Sequence, residues 1–313
     1  MIESFKLRNV EFNNRILVAS GTFGYGDEVP DLVDISQLGG IMTKSLSMKP
    51  RDGNPNPRIT ETASGMLNSI GLANIGVHKF ISDKLPTLKK HDTKVIANIA
   101  ASSVEEYCSV LELLDALEGV HGFEINVSCP NVKEGGLSFG TDVTLVTRIT
   151  KELRQRTNKP LIIKLTPNVT HISEFARACE AEGADAVSVI NTVIGMAVNI
   201  HKRTPKIATT TGGLSGPAVK PIALAKVYET VNAVKIPVIG IGGIVTWEDA
   251  VEFFIVGASM VQIGTANFIN PSTGITIAHG VKEFCEKNGM DNVGSLVKTL
   301  QTNRTISIVD SWL

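Results

Sequence analysis

Eight short runs rich in valine and isoleucine recur along the 313 residues, at 16–19, 40–43, 95–99, 122–126, 161–165, 186–190, 238–241 and 260–263. Their apolarity is continuous rather than alternating at every second position, which marks strands covered on both faces, as in a parallel sheet. Most are separated by segments with a helical period. Over 103–117 the apolar positions are Val104, Cys108, Leu111, Leu114 and Leu117; over 141–156 they are Val143, Val146, Ile149 and Leu153, behind a Thr141-Asp142 cap. Further helices are expected at 171–182, 217–234, 247–256 and 274–287. This α/β alternation predicts a single (β/α)8 barrel, one domain over residues 1–313, with an open doubly wound sheet as the alternative. Residues 5–12 read as an N-terminal β-hairpin placed to plug the bottom of the barrel. The connections 44–78 and 191–217 are too long for plain crossovers. At the C-terminal face of a barrel such long loops build the active site.

Composition removes several function classes. Thirty basic residues balance 31 acidic ones, no basic block stands out and aromatics are only 5%, so nucleic acid is not an expected partner. The four cysteines, at 108, 129, 179 and 285, have neither zinc nor iron–sulfur spacing, and no metal site is expected. In a chain of this size they read as reduced thiols in a cytoplasmic protein. The N-terminus has no apolar signal region. The longest stretch without Asp, Glu, Lys or Arg, 253–281, is broken by Gly257, Gly264, Asn267, Asn270, Pro271 and Gly274, and does not read as a membrane span.

Polar residues gather where the strands end. The first runs into Ser20 and the second into Lys44-Ser45; the third carries Asn98, the fourth Asn126, the fifth Lys164, and the sixth stops at Asn191-Thr192. Buried lysines and amides are costly unless something satisfies them, so their convergence on one face predicts a binding site. The last two strands end instead in glycines, at Gly242-Gly243 and Gly264-Thr265, with a third glycine-rich turn at 211–217. Bare backbone at strand ends seven and eight suits a phosphate, although tight βα turns alone would also use glycine. Val245 stands where a dinucleotide fingerprint would place its last glycine, which disfavours nicotinamide binding by this chain alone. One phosphate site, inward lysines and no metal cluster point to flavin mononucleotide, with Lys164 near the electron-poor end of the ring. After the fourth strand comes Asn126-Val-Ser-Cys-Pro-Asn131, a thiol flanked by amides. It reads as a proton acceptor beside a flat heterocycle, or as a buried cysteine in an ordinary βα turn.

Lys44-Ser45, Gly53-Asn-Pro-Asn-Pro-Arg58, Asn68-Ser-Ile-Gly-Leu72, Asn126-Val-Ser-Cys-Pro-Asn131 and Thr211-Gly-Gly-Leu-Ser-Gly-Pro217 together resemble the dihydroorotate dehydrogenases over nearly the whole chain. Cysteine at 129 is similar to the cytosolic class 1 enzymes, and Asn131-Val-Lys-Glu-Gly-Gly136 is most like the class 1B catalytic subunit. The resemblance implies oxidation of (S)-dihydroorotate to orotate in the biosynthesis of UMP. It implies one FMN per chain, held by Ser20, Lys44, Ser45, Asn98, Asn126, Lys164, Ile190, Gly216, Gly242, Gly243, Gly264 and Thr265. Substrate contacts are implied at Lys44, Asn68, Ser69, Ile70, Gly71, Leu72, Asn126, Asn191 and Thr192. Cys129 becomes the general base, taking a proton from C5 while a hydride leaves C6 for the flavin N5. Residues 133–140, with Gly135, Gly136 and Gly140 as hinges, would form a lid over it. Class 1B also implies an electron-transfer subunit carrying FAD and a 2Fe-2S cluster, in a heterotetramer of two catalytic and two electron-transfer subunits around a homodimer core, with NAD as acceptor. One departure is visible: Ile75 stands where the family usually has proline, which bears on the rigidity of the substrate loop. Two alternatives remain, a class 1A homodimer using fumarate and a redox-free phosphate-binding isomerase or lyase.

Overall fold

The computed structural model describes residues 3–28, 33–128 and 139–302. A hairpin opens the chain, β1 (Phe5–Leu7) with β2 (Val10–Phe12), followed by β3 (Ile16–Val18) and β4 (Gly40–Met42). Two paired strands, β5 (Ile59–Thr62) and β6 (Gly65–Asn68), precede β7 (Lys94–Ile99), β8 (Gly122–Asn126), β9 (Leu161–Leu165) and β10 (Ala186–Val189). Next come β11 (Val193–Gly195), β12 (Val198–Asn199), β13 (Thr204–Pro205) and β14 (Gly212–Ser215), then β15 (Val238–Ile241) and β16 (Met260–Ile263).

Eight of these strands close into a parallel barrel in the order β10-β15-β16-β3-β4-β7-β8-β9, the (β/α)8 architecture expected from the apolar runs. Each predicted strand is present with its ends shifted by at most one residue. The hairpin plugs the bottom: Leu7 and Phe12 pack with Leu17, Met42, Ile96, Ile162, Ala186, Ile239 and Met260, the lowest inward layer of the barrel. The outer helices Val104–Asp115, Val143–Arg154, Ile172–Ala181, Lys220–Val231, Trp247–Val256 and Thr273–Lys287 bury their apolar faces against the strands. Their starts are set by local chemistry. Ser103 and Asp142 side chains accept from the first turn, and Thr246 with Asp249 forms a reciprocal capping box.

Two expectations need correction. Residues 217–234 are not one helix: Pro217–Val219 is a 3-10 turn, and the α-helix starts only at Lys220. The two long connections are not loops. They fold together into an antiparallel sheet, β11-β14-β6-β5, over the C-terminal end of the barrel, with the small pair β12-β13 beside it. Its strands are short, glycine-containing and half-exposed, so they carry no two-residue alternation for a sequence reading to find. A helical stretch over 77–88, with a π-type centre at Phe80–Lys84, also had no clear periodic signal. Among the described residues no helix is long and apolar enough to cross a membrane.

Candidate active site

In a strand, residues two apart share a face. Stepping two residues up from the apolar floor of Ile96, Ile162, Ala186 and Met260 therefore reaches Asn98, Lys164, Ser188 and Gln262, and this second inward layer is polar. Its centre is Glu124, fully buried on β8 opposite Asn98. Glu124 Oε2 accepts from Asn98 Nδ2 at 2.6 Å and lies 3.8 Å from Lys164 Nζ. Its Oε1 accepts from Ser188 Oγ at 2.8 Å and from Gln262 Nε2 at 2.7 Å. Asn98 Oδ1 in turn accepts from Ser45 Oγ at 2.6 Å, while the Asn98 N–H donates to Thr43 Oγ1. Ser45, Asn98 and Lys164, predicted separately, are thus joined through one carboxylate. Sequence reasoning passed over Glu124, Ser188 and Gln262 because each sits inside an apolar run; a lone carboxylate two residues before Asn126 was the available signal.

Above this layer the amides gather. Asn126 Oδ1 accepts from Asn191 Nδ2 at 3.1 Å and from the Ser128 N–H at 3.2 Å, and the Asn126 carbonyl accepts from buried Tyr107 Oη at 2.6 Å. The Thr192 N–H donates to Asn191 Oδ1, and the Thr192 carbonyl accepts from Asn168 Nδ2. Asn68 reaches the same region from β6, donating to the Gly213 carbonyl at 3.2 Å. A Cβ on Gly213 would stand 2.1 Å from Thr192 Oγ1, so the covering sheet can approach these residues only with glycine there.

The segment after Asn68 is held tightly. The Ser69 N–H donates to the Arg58 carbonyl at 2.7 Å, the Asn54 N–H donates to the Ile70 carbonyl, and Gly71 and Leu72 both take positive φ, 70° and 58°. Asn74 donates to Ser47 Oγ and to the Leu72 carbonyl, each at 2.8 Å, and accepts from the Gly76 N–H. The Ile75 N–H donates to Tyr25 Oη at 3.1 Å, a contact that proline at this position could not make. The loop is therefore fixed without proline.

On the far side, Gly243 has φ 73° and a Cβ there would lie 2.7 Å from Lys220 N and 2.9 Å from the Gly216 carbonyl oxygen. Gly242 faces Ile190, whose side chain would be 3.6 Å from an added Cβ, and Thr265 Oγ1 donates to Ser215 Oγ at 2.8 Å. Gly216, Gly242, Gly243, Ile190 and Thr265 are thereby brought together. Gly264 is different, since its Cβ would meet only Ala19 and Thr22 at 3.8 and 4.0 Å. Ser20 lies beside it, half-buried at the end of β3, before Gly21, over which space is also open. Cys129 and residues 133–138 of the expected lid lie outside the described residues. Gly140 sits against Val127 and Thr166, so the return from that segment is anchored beside the amide cluster.

Three observations test what this mouth could hold. Lys44 is half-buried and makes no ion pair among the described residues; burial pushes its ammonium below the ordinary lysine range, with Glu28 opposing the shift and Arg58 adding to it. Ser69 Oγ, Ser128 Oγ and Gln262 Oε1 are buried with no hydrogen-bond partner among the described residues. Glycines open one side to a backbone-bound anion. Unspent cationic and polar groups beside a glycine cradle fit a flat polar ring system bearing a phosphate. Among the described residues no cluster of His, Cys, Asp or Glu could hold a metal. The remaining cysteines, Cys108, Cys179 and Cys285, are buried and free, and burial pushes the Cys179 thiol up to about 12.

Comparison with known proteins finds relatives over nearly the whole chain. The family model described as dihydroorotate dehydrogenase matches residues 3–285. The chain is similar to the "Dihydroorotate dehydrogenase B (NAD(+)), catalytic subunit" of Geotalea uraniireducens, 51% identical over 299 residues that cover 96% of this chain and 98% of that protein. The protein of the same name from Thermoanaerobacter sp. is 50% identical, covering 94% and 97%. The one from Parabacteroides distasonis is 48% identical, covering 95% and 97%.

Proposed function

The chain belongs to the dihydroorotate dehydrogenase family, and from that premise we propose that it is the catalytic subunit of an NAD-linked enzyme oxidising (S)-dihydroorotate to orotate for UMP synthesis. The observation that carries this reading is the inward polar layer around Glu124, topped by the Asn68, Asn126 and Asn191 amides. Amides that both donate and accept suit the alternating N–H and C=O edge of a pyrimidine.

The cofactor of this reading is FMN, one per chain, with its phosphate at Gly216, Gly242, Gly243, Gly264 and Thr265 and its ring against Ser20, Lys44, Ser45, Asn98, Asn126, Lys164 and Ile190. When bound, the flavin supplies the two-electron acceptor for the hydride leaving C6. The chain's residues do the rest. Lys44 offsets the substrate carboxylate, and Asn68 through Leu72 with Asn126, Asn191 and Thr192 orient the ring. Cys129, as thiolate, takes the C5 proton. Lys164 balances the charge that develops on reduction.

Electrons then pass to NAD through a partner subunit carrying FAD and a 2Fe-2S cluster, in the heterotetramer built on a homodimer core. The names of the relatives, NAD(+)-linked catalytic subunits, support NAD as acceptor and a second subunit. The fumarate-linked homodimer and the redox-free isomerase or lyase are not favoured. A cytoplasmic site of action fits the buried free thiols. The test is acceptor dependence. With dihydroorotate, the chain purified alone should reduce an artificial dye but not NAD, and coexpression with the partner should confer NAD reduction. NAD reduction by the chain alone would overturn the partner, and fumarate-dependent turnover would restore the class 1A reading.

A further inference from the structure

We propose that Glu124 is a positioning residue that sets the reduction potential of the flavin, by fixing Lys164 and Asn98 beneath the ring and partly cancelling the lysine's charge. This rests on the reading in which Lys164 and Asn98 face a flavin.

The geometry singles Glu124 out. Three hydrogen-bond donors surround it, Asn98 Nδ2 from β7, Ser188 Oγ from β10 and Gln262 Nε2 from β16, and the Lys164 ammonium from β9 stands 3.8 Å away. An ionised carboxylate is acceptor-only and can take all of them, so the site is built for that form. Both Glu124 and Lys164 are shielded, with 0% and 8% of their side chains exposed. A buried ion pair is a weak means of stabilising a barrel, since hydrophobic side chains of the same volume often serve as well or better. Its place among the predicted flavin contacts Ser45, Asn98 and Lys164 argues for an electrostatic purpose. The hydrogen bond to Asn98 also fixes that amide, leaving its oxygen for Ser45. One carboxylate thus sets both the position of the cation and the orientation of the neighbouring amide.

The sign of the effect follows from charge. Reduction adds negative charge to the ring, which the Lys164 ammonium favours and the Glu124 carboxylate opposes. Glu124→Gln removes the opposing charge in nearly the same volume. Gln262 can turn to present its orphan Oε1 to the new amide, so the hydrogen bonding can be rebuilt. At an effective dielectric of about 20 and a separation on the order of 8 Å, the shift is roughly thirtyfold in the equilibrium for reduction. That is about 45 mV upward for a two-electron couple.

The experiment is a spectroscopic redox titration of the flavin-loaded protein against a reference dye, wild type beside Glu124→Gln, with flavin affinity measured by dilution and release. An upward shift with flavin still bound supports the proposal, and an unchanged or lowered potential overturns it. Should Glu124→Gln fail to fold, Lys164→Met is compared with Lys164→Met/Glu124→Gln, which buries no unpaired charge; the double variant should lie above the single one by a similar step. Equal potentials in that pair would make Glu124 purely structural. Wild-type protein that neither retains nor takes up flavin would instead refute the underlying reading, a different failure from an unshifted potential.

Discussion

The side-chain amide of Asn191 donates to Asn126 Oδ1 at 3.1 Å, joining the ends of β10 and β8 across β9 at the mouth of the barrel. Because the Ser128 N–H donates to the same oxygen, the Asn126 amide is oriented, and its NH2 group has no partner among the described residues. Asn191→Ala releases that oxygen and lets the amide rotate. The KM for dihydroorotate should rise roughly tenfold, the equivalent of one hydrogen bond to a buried group, while flavin content stays unchanged. Steady-state kinetics with a dye acceptor measure it, and an unaltered KM would remove Asn191 from the substrate site.

The glycines of the proposed phosphate cradle should separate into two kinds. Gly243→Ala forces a side chain at φ 73° against Lys220 and Gly216 and should destabilise the apoprotein by about 1–3 kcal/mol. Gly264→Ala meets nothing closer than 3.8 Å, so the apoprotein should keep its melting temperature and lose only flavin affinity. Thermal unfolding with and without added FMN distinguishes the two outcomes. Equal loss of apoprotein stability in both variants would count against the cradle.

Activity should follow a bell-shaped pH profile in kcat/KM. The rising limb belongs to the Cys129 thiol, whose ordinary value is about 8.5. The falling limb belongs to Lys44, which burial holds below the usual lysine range, so its charge and its hold on the substrate carboxylate are lost as pH rises. Lys44→Arg keeps a charge throughout, and the alkaline limb should move upward or vanish. A limb that stays in place assigns it elsewhere.

His121 should make the fold sensitive to acid. Its Nδ1 accepts from the Val95 N–H at 3.0 Å, and burial, followed by Lys94 and Lys159, holds it below the ordinary histidine value. A base whose folded pKa is depressed favours the fold while neutral. That contribution is fully present above about pH 6.5, the unfolded value, and declines as pH falls toward the folded pKa. The melting temperature should therefore drop on acidification below that point, and less steeply in His121→Gln. Parallel curves for the two proteins would clear His121.

The barrel was legible because its strands are buried on both faces, so that a run such as Ile16–Val18 is apolar without interruption. Polar strand ends were legible for the opposite reason, Lys164 and Asn98 being out of place in a core. The sheet over the mouth was not, since β6 and β14 meet through Asn68 and Gly213, 145 residues apart, and neither strand carries a pattern that would announce the other. Glu124 was hidden by its setting: within Gly122–Asn126 one acid among apolar neighbours reads as a strand, and only the closed barrel shows it facing Ser188 and Gln262. The substrate loop needed the structure for another reason. Ile75 breaks the expected proline pattern, and its replacement anchor is Tyr25, 50 residues away in sequence.

The most direct test of the function is an anaerobic titration of the purified chain with dihydroorotate, following flavin absorbance, beside Cys129→Ala. The wild type should be yellow and bleach stoichiometrically, and Cys129→Ala should hold the same flavin and bleach about 10²–10⁴-fold more slowly. A yellow wild-type protein that stays oxidised in excess dihydroorotate would contradict the assignment of substrate.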